Sequence, residues 1–495
     1  MEKRLSITIA VFLLLAGTAA AQDARAVLQA TAEAMGGRDL KAIQYDGAGW
    51  LASVGQSFSP AEDWPRFDVT SYTRTIDYDA RTSYEDLTRR QENNPPRGEQ
   101  RQIMVVNGDH AWNVQGETAV PQLAAADVRQ LDIWLSPHGF VKAAMAASNA
   151  TATPMLLEGR RVTLVTFTLG KYRVNGTITD QNLVERVQTW VANPVFGDMV
   201  YEHRYTEYKD FGGLKFPTIL HSHQGDPRLN PGHNWLEVRV QNVRPNPATA
   251  AVVVPDHVRQ ATIPPVRVES QRVANGVWLV GGGPHNSVAV EFRDFVAVVE
   301  APQDERRSLA VIGEVNRLLP NKPIQYVVNT HHHFDHSGGL RTYVAQGTTV
   351  VTHQENRSFY EQVFFYPSAR TLQPDRLSTQ YPWFTADRLP SIETVGQRYV
   401  ISDGVRTMEV HPVRGLAHVS NMLIAYLPTE GLLINADLYS PLAPGAPPPT
   451  VSASMKTLLA NIRRLKLNVS QHVPVHGAPG AHADLLKIAG VAPSN

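Results

Sequence analysis

The sequence predicts two domains, an α+β domain built on antiparallel strands followed by a layered α/β domain. Three observations carry this. Up to about Val243 the chain is dominated by short stretches of β-branched and aromatic residues with alternating polarity, "RQIMVVNG", "RRVTLVTFTL" and "WLEVRVQNV" among them, separated by Gly, Pro and Asn turns. From Arg244 to Ser270, "RPNPATAAVVVPDHVRQATIPPVRVES" is rich in Pro and Ala and lacks periodicity, as a crossing segment would. Beyond it, strand and helix patterns alternate. A chain of 495 residues, 43% of them apolar, is long enough to core two or three domains.

Taken in order, Met1 to Arg4 is charged, Leu5 to Gly17 is apolar, and Ala19, Ala20 and Ala21 precede Gln22, the layout of a signal peptide cut after Ala21. The apolar run is about 13 residues, short of the roughly 20 that span a bilayer, so no stable membrane span is expected. There is no cysteine, which excludes a lipidated N-terminus, disulfides and thiolate metal ligands. Together these features point to export into a bacterial periplasm. The formal charge is zero, with 46 Lys+Arg against 46 Asp+Glu, so no global positive field holds a phosphate backbone, which speaks against nucleic acid as a partner.

The first domain opens with a helix, "DARAVLQATAEAMGG" from Asp23 to Gly37, ending on a glycine pair, and a second helical stretch falls near Leu123 to Ala147. In the second domain "GVWLVGG", "NSVAVEF" and "DFVAVVEAP" read as consecutive strands. A helix, "DERRSLAVIGEVNRLLP", and a buried strand, "PIQYVVN", follow. The boundaries are residues 1–21 for the signal peptide, 22–250 for the β-rich domain, 251–269 for a linker and 270–495 for the second domain.

That last strand runs into "NTHHHFDHSGG", Asn329 to Gly339, which places four of the chain's 18 histidines within eleven residues. In an extended segment residues two apart point the same way, so His331 and His333 face one metal together while His332 points elsewhere. Asp335 and His336, after a turn allowed by Gly338 and Gly339, face a second. Two metals need further ligands, and three candidates stand near strand ends. His418 lies in "RGLAHVSNMLIAYLP", Asp437 ends "GLLINADLYSP", and His476 follows the apolar run in "QHVPVHGAPG". A carboxylate beside an apolar run is an odd burial unless it is paired or ligates metal.

His331-x-His333-x-Asp335-His336, then His418, Asp437 and His476, resembles the metallo-β-lactamase fold hydrolases, the superfamily that includes glyoxalase II, over about residues 270 to 482. The resemblance implies an αββα sandwich with a dimetal site at the edge between its two sheets. It assigns His331, His333 and His418 to the first metal, Asp335, His336 and His476 to the second, and Asp437 as a bridge. It further implies two zinc ions and a metal-bound hydroxide attacking an ester, thioester, amide or lactam, with Asp335 orienting the hydroxide or moving its proton. The alternative within the fold is an iron-dependent redox enzyme, against which the retention of Asp335, His336 and His476 argues for two metals. Two departures stand out. Where many members end the third strand of the domain on an Asp, this chain has "VVEAP", so Glu300 either substitutes or that contact is absent. The cysteine ligand of some lactamases of the fold is missing as well.

Other residues carry weaker signals. His332 reads as a group supporting the metal ligands or as a solvated side chain. His285, on the glycine-rich loop "GGGPHNSVAV", reads equally as an ordinary loop residue or as a substrate contact. The aromatic residues of "SFYEQVFFYP" and "YPWF", with Tyr360, Phe364, Phe365, Trp383 and Phe384, read as the core of an inserted helix or as the wall of a pocket for a small, apolar substrate. "HSH", His221 to His223, has ligand-like spacing but no carboxylate partner, and a strand face is the better reading. "YTEYKDFGGLKFPTIL" followed by "WLEVRVQNV" resembles the periplasmic lipoprotein-carrier half-barrels, which implies a curved antiparallel sheet able to cradle an apolar group. On that footing the chain would be an apolar-ligand binding protein with a vestigial metal site.

Overall fold

The computed structural model describes residues 24–91, 96–225, 233–248, 251–365, 369–380, 391–442, 447 and 449–491. The expected signal peptide, Trp383 and Phe384 lie outside these residues. The chain forms two compact units, and the division does not follow the chain simply. The first holds residues up to Ser53, Arg66–Val191 and Met199–Pro264, and the second holds Pro265 onward together with Val54–Pro65 and Ala192–Asp198.

The first unit is one thirteen-stranded antiparallel sheet. Strand Ala42–Ala52 sits mid-sheet, paired on one side with Arg66–Asp77 and on the other with the last strand, His233–Pro245. The helix expected at the start covers residues 24–34. The helical stretch expected near Leu123 to Ala147 is split into Ala126–Leu135 and Pro137–Ala146. Ser136 makes the break: its backbone is extended and its hydroxyl accepts from the Gly139 amide, while Pro137 starts the next helix where no amide is needed. The segment expected as a linker contains a short helix, Asp256–Arg259, whose Val258 is fully buried against Ile103, Val105 and Trp112. Apolar side chains in a Pro-rich stretch thus find a core that local periodicity did not announce.

The second unit is a sandwich. Its seven-stranded sheet runs in chain order from Glu269–Ala274 to Ile392–Val395, antiparallel over the first four strands and parallel thereafter. The six-stranded sheet runs from Tyr399–Ser402 to Gly480–Ala481. Val288, Val290, Val299, Val328 and Val351 of the first sheet meet Met408, Val410, Leu423, Ile434 and Val473 of the second in one core. The strand Val296–Val299 is buried at every position, as a strand covered on both faces must be, hence its unbroken apolar run. Helices Ala453–Leu465 and His482–Ile488 bury Leu458, Ile462 and Leu485 against the outer face of the second sheet. Helix Glu305–Leu318, capped by the Asp304 carboxylate on the Arg307 amide, is tied to the first sheet by Arg307, whose guanidinium donates to the Val280 and His285 carbonyls. The αββα layering expected of this domain is what forms.

Candidate metal centre

Strand Ile324–Val328 ends one residue before Asn329, and the chain bends at Thr330 and runs through His331 and His333 into the short helix Phe334–Ser337. His331, His332, His333 and His336 are all essentially buried. Gly338 and Gly339 serve close approach rather than an unusual turn. Both have ordinary helical φ, but a Cβ on Gly338 would lie 2.0 Å from the Gln303 carbonyl and one on Gly339 2.0 Å from the Ser308 hydroxyl.

Two groups of ligand atoms assemble. His331, His333, His418 and Asp437 offer atoms within 4.8 Å of one another, and so do His285, His336 and His476. The Asp437 carboxylate stands at the junction: Oδ2 lies 3.2 Å from Nε2 of each of His331, His336 and His418, and Oδ1 lies 2.8 Å from Nε2 of His476. The expected grouping put Asp335 beside His336 and His476. The geometry sets His285 there, with Asp335 adjoining, its Oδ2 3.2 Å from His285 Nε2 and 3.7 Å from His336 Nε2. His331, His333 and His336 form the buried floor of the site. The side chains of His418, His476 and Asp335 keep 26, 31 and 42% of their surface and form its accessible rim.

Supporting contacts fix which nitrogen each histidine presents. Nε2 of His333 donates to the Ser57 carbonyl at 2.9 Å, which leaves its buried Nδ1 with no hydrogen-bond partner. An unprotonated, unpartnered imidazole nitrogen aimed into a cluster of ligand atoms fits a metal ion. His476 Nδ1 donates to the Pro284 carbonyl at 2.7 Å. His336 Nδ1 donates to Glu300 Oε2 at 2.6 Å, and Glu300 Oε1 accepts from the Thr330 amide at 2.7 Å. Glu300 therefore supplies the carboxylate support that "VVEAP" left open. Glu300 and Asp437 both hold left-handed backbone, φ 76° and 57°, a conformation that costs an ordinary residue energy and that collects at functional sites. His332, solvated in one of its readings, is instead buried between the Ser57 hydroxyl and Asn421, each 3.1 Å away.

The segment Val54–Pro65 was invisible as part of this site. Besides Ser57, it brings Gln56 Nε2 within 2.7 Å of Asp335 Oδ1, and the Phe58 carbonyl accepts from the Ser420 amide. Nothing in "VGQSFSP" has ligand spacing, so sequence carried no signal for it. Tyr360 and Phe364 are both wholly buried and stacked on each other at 5.4 Å, with the Tyr360 hydroxyl donating to Asn329 Oδ1, which is the packing of a helical core. The aromatic spacing that suggested a wall is the spacing of one buried helix face. His221 pairs with Glu237 and Asn234, and His223 lies 3.4 Å from Glu202, all on one face of the first unit's sheet.

Charge within the site is self-compensating. Burial, with the neighbouring His336 acting in the same direction, lowers His331 to about 4, and burial, with His331, His332 and His418 acting in the same direction, holds His333 well below the usual range. Both thus stay neutral with lone pairs free, the form metal binding requires. Burial acts to lower His336 too, but the Asp437 and Glu300 carboxylates outweigh it and hold its pKa well above normal. Burial would raise Asp437 and Asp335; the surrounding imidazoles override it and keep both well below the ordinary carboxylate range. Such an array is a set of donors arranged for a positive charge at its centre.

Comparison with known proteins agrees with this reading of the second unit. Residues 280–438 match the family model of the metallo-beta-lactamase superfamily. No curated protein matches the chain. Among solved structures, it is similar to a metallo-beta-lactamase from Pontibacter korlensis at 20% identity, covering 44% of this chain and 95% of that one, with a TM-score of 0.32. It is also similar to the metallo-beta-lactamase FIM-1 from Pseudomonas aeruginosa, solved in a mono-zinc form, at 19% identity, covering 46% and 95%, TM-score 0.33. One from Hirschia baltica matches at 15% identity, covering 46% and 100%, TM-score 0.32.

Proposed function

We propose, from the premise that residues 280–438 form a domain of the metallo-beta-lactamase superfamily, that this chain is an exported hydrolase with a two-zinc centre, cleaving an ester, thioester, amide or lactam. The observation that carries it is Asp437, whose one carboxylate reaches histidines of both ligand groups. One metal would be held by His331, His333 and His418, and the other by His336 and His476 with Asp335 or His285. Asp437 lies between them. When bound, the zinc ions lower the pKa of water toward neutrality and polarise a substrate carbonyl. The layout from Met1 to Gln22 supports export through a signal peptide into the periplasm.

This chain's own groups then have definite tasks. Glu300, the Ser57 carbonyl and the Pro284 carbonyl hold His336, His333 and His476 in single orientations, so the ligand nitrogens need no reorganisation. Asp335 is ionised and rim-exposed, with Oδ1 engaged by Gln56 and Oδ2 turned toward His285. Oδ2 takes the proton of the attacking water and returns it to the leaving group. The test is a panel of thioesters, esters, amides and lactams with metal-replete protein beside His333→Ala. Turnover of at least one class, falling about a hundredfold or more in the variant, is expected. No turnover of any class by protein holding two zincs would count decisively against the reading, and one tightly held iron would move it to the redox branch.

A further inference from the structure

The first unit encloses a cavity that the metal chemistry does not use. It measures about 360 Å³, within the range of small-molecule sites, and lies between the strands around Ala42–Ala52 and helix Ala126–Leu135. One part of the wall is apolar, with Leu51, Leu87, Met104, Leu236 and Val238. The other part is polar and includes Arg74, Glu85, Asp132, His203, Tyr201 and Trp235.

The polar part is electrically balanced yet incompletely hydrogen-bonded. Arg74 Nε lies 3.1 Å from the Ser83 hydroxyl and 3.6 Å from Glu85 Oε2, so its charge is already matched. Arg129 is spent on the Val105 and Trp112 carbonyls. His203 uses Nδ1 on the Ser222 hydroxyl at 2.7 Å, and its Nε2 stops 3.9 Å from Asp132 Oδ1, beyond hydrogen-bond reach. Three buried atoms facing this region have no hydrogen-bond partner: Asp132 Oδ1, His203 Nε2 and Trp235 Nε1. Such atoms are rare in folded proteins and costly where water is excluded. An anionic head would meet Glu85 and Asp132, and a cationic one would meet Arg74. A hydroxyl or amide, donor and acceptor at once, suits a wall that offers both an acceptor such as Asp132 Oδ1 and a donor such as Trp235 Nε1.

We propose that this cavity is a second ligand site, taking a small, mainly apolar molecule with one neutral hydroxyl or amide head. The site stands independently of the metal centre. It is tested on the full-length, metal-loaded protein by calorimetric titration with three probes of one chain length, n-decanol, decanoate and decylammonium. Decanol is expected to bind saturably at one per chain, with the two charged probes at least tenfold weaker. Asp132→Leu, which removes an acceptor, should weaken decanol about tenfold, the effect of one hydrogen bond in a dry site. Leu236→Trp, which fills the apolar end, should abolish binding. Circular dichroism and retained zinc content show that each variant is folded, and Met104→Trp serves in its place if Leu236→Trp is not. No saturable binding, tighter binding of either charged probe, or equal binding of all three in wild type and both variants would overturn the proposal.

Discussion

Glu300 is the residue on which the second ligand group turns. A buried carboxylate at 2.6 Å fixes the tautomer of His336 and strengthens it as a donor toward a cation. Glu300→Gln keeps the volume and removes the charge. Chelator competition should show metal affinity of the second group falling about ten- to a hundredfold, the usual cost of a lost supporting contact. Unchanged affinity would reduce Glu300 to a packing residue. The sequence identified Glu300 as a question and could not answer it, because whether one extra methylene reaches the histidine depends on the φ of 76° that its backbone adopts. The histidines and aspartates of the ligand pattern stood out because they are rare types set close after apolar runs; His285 was legible only as a lone loop histidine, since its partners lie 51 and 191 residues away in "NTHHHFDHSGG" and "QHVPVHGAPG".

At the scale of elements, the informative segment is Val54–Pro65. It leaves the first unit's sheet after Ala52, brings Gln56 and Ser57 to the candidate ligands Asp335 and His333, and returns as strand Arg66–Asp77. Gln56→Ala is expected to lower kcat about tenfold with little change in KM, since the amide touches Asp335 rather than substrate. A change confined to KM would place Gln56 at the substrate instead. Strand and helix patterning announced both sheets, because alternation and buried apolar runs are local properties. It could not announce this segment, whose role depends on contacts some 280 residues distant.

A second element-scale prediction concerns helix Pro137–Ala146. Its His138 is buried, stacked on Phe216 at 5.9 Å and donating to the Met35 carbonyl. Burial lowers it from 6.5 to about 4. The unfolded chain therefore binds this proton where the folded one refuses it. Stability is full above pH 6.5 and declines as pH falls toward 4, by about 3 kcal/mol at most. His138→Phe should remove part of the loss of melting temperature between pH 7 and pH 5. An identical loss in wild type and variant would contradict this.

For the whole molecule, the layered class of the second unit followed from its strand–helix order, and the site followed from histidine spacing. The extent of the first unit's sheet did not. Thirteen strands close into one sheet only because the first strand, Ala42–Ala52, pairs with the last, His233–Pro245, a long-range match that no local pattern encodes. Among the described residues no helix is long and apolar enough to cross a membrane. Metal binding should appear in the melting of the folded protein. Zinc at a hundred times its dissociation constant adds about 2.7 kcal/mol per site. Calorimetry with and without chelator should therefore show at least one transition shifting by several degrees, and no shift would mean that the ligand groups bind nothing tightly.

The most direct test of the two-metal centre is the metal content of the purified chain, by plasma mass spectrometry without added metal, beside Asp437→Asn. The account predicts about two zincs per wild-type chain and a clear loss in the variant, because one carboxylate lies between both ligand groups. A folded wild-type chain holding a single iron, or no metal, or two zincs that Asp437→Asn retains undiminished, would contradict it.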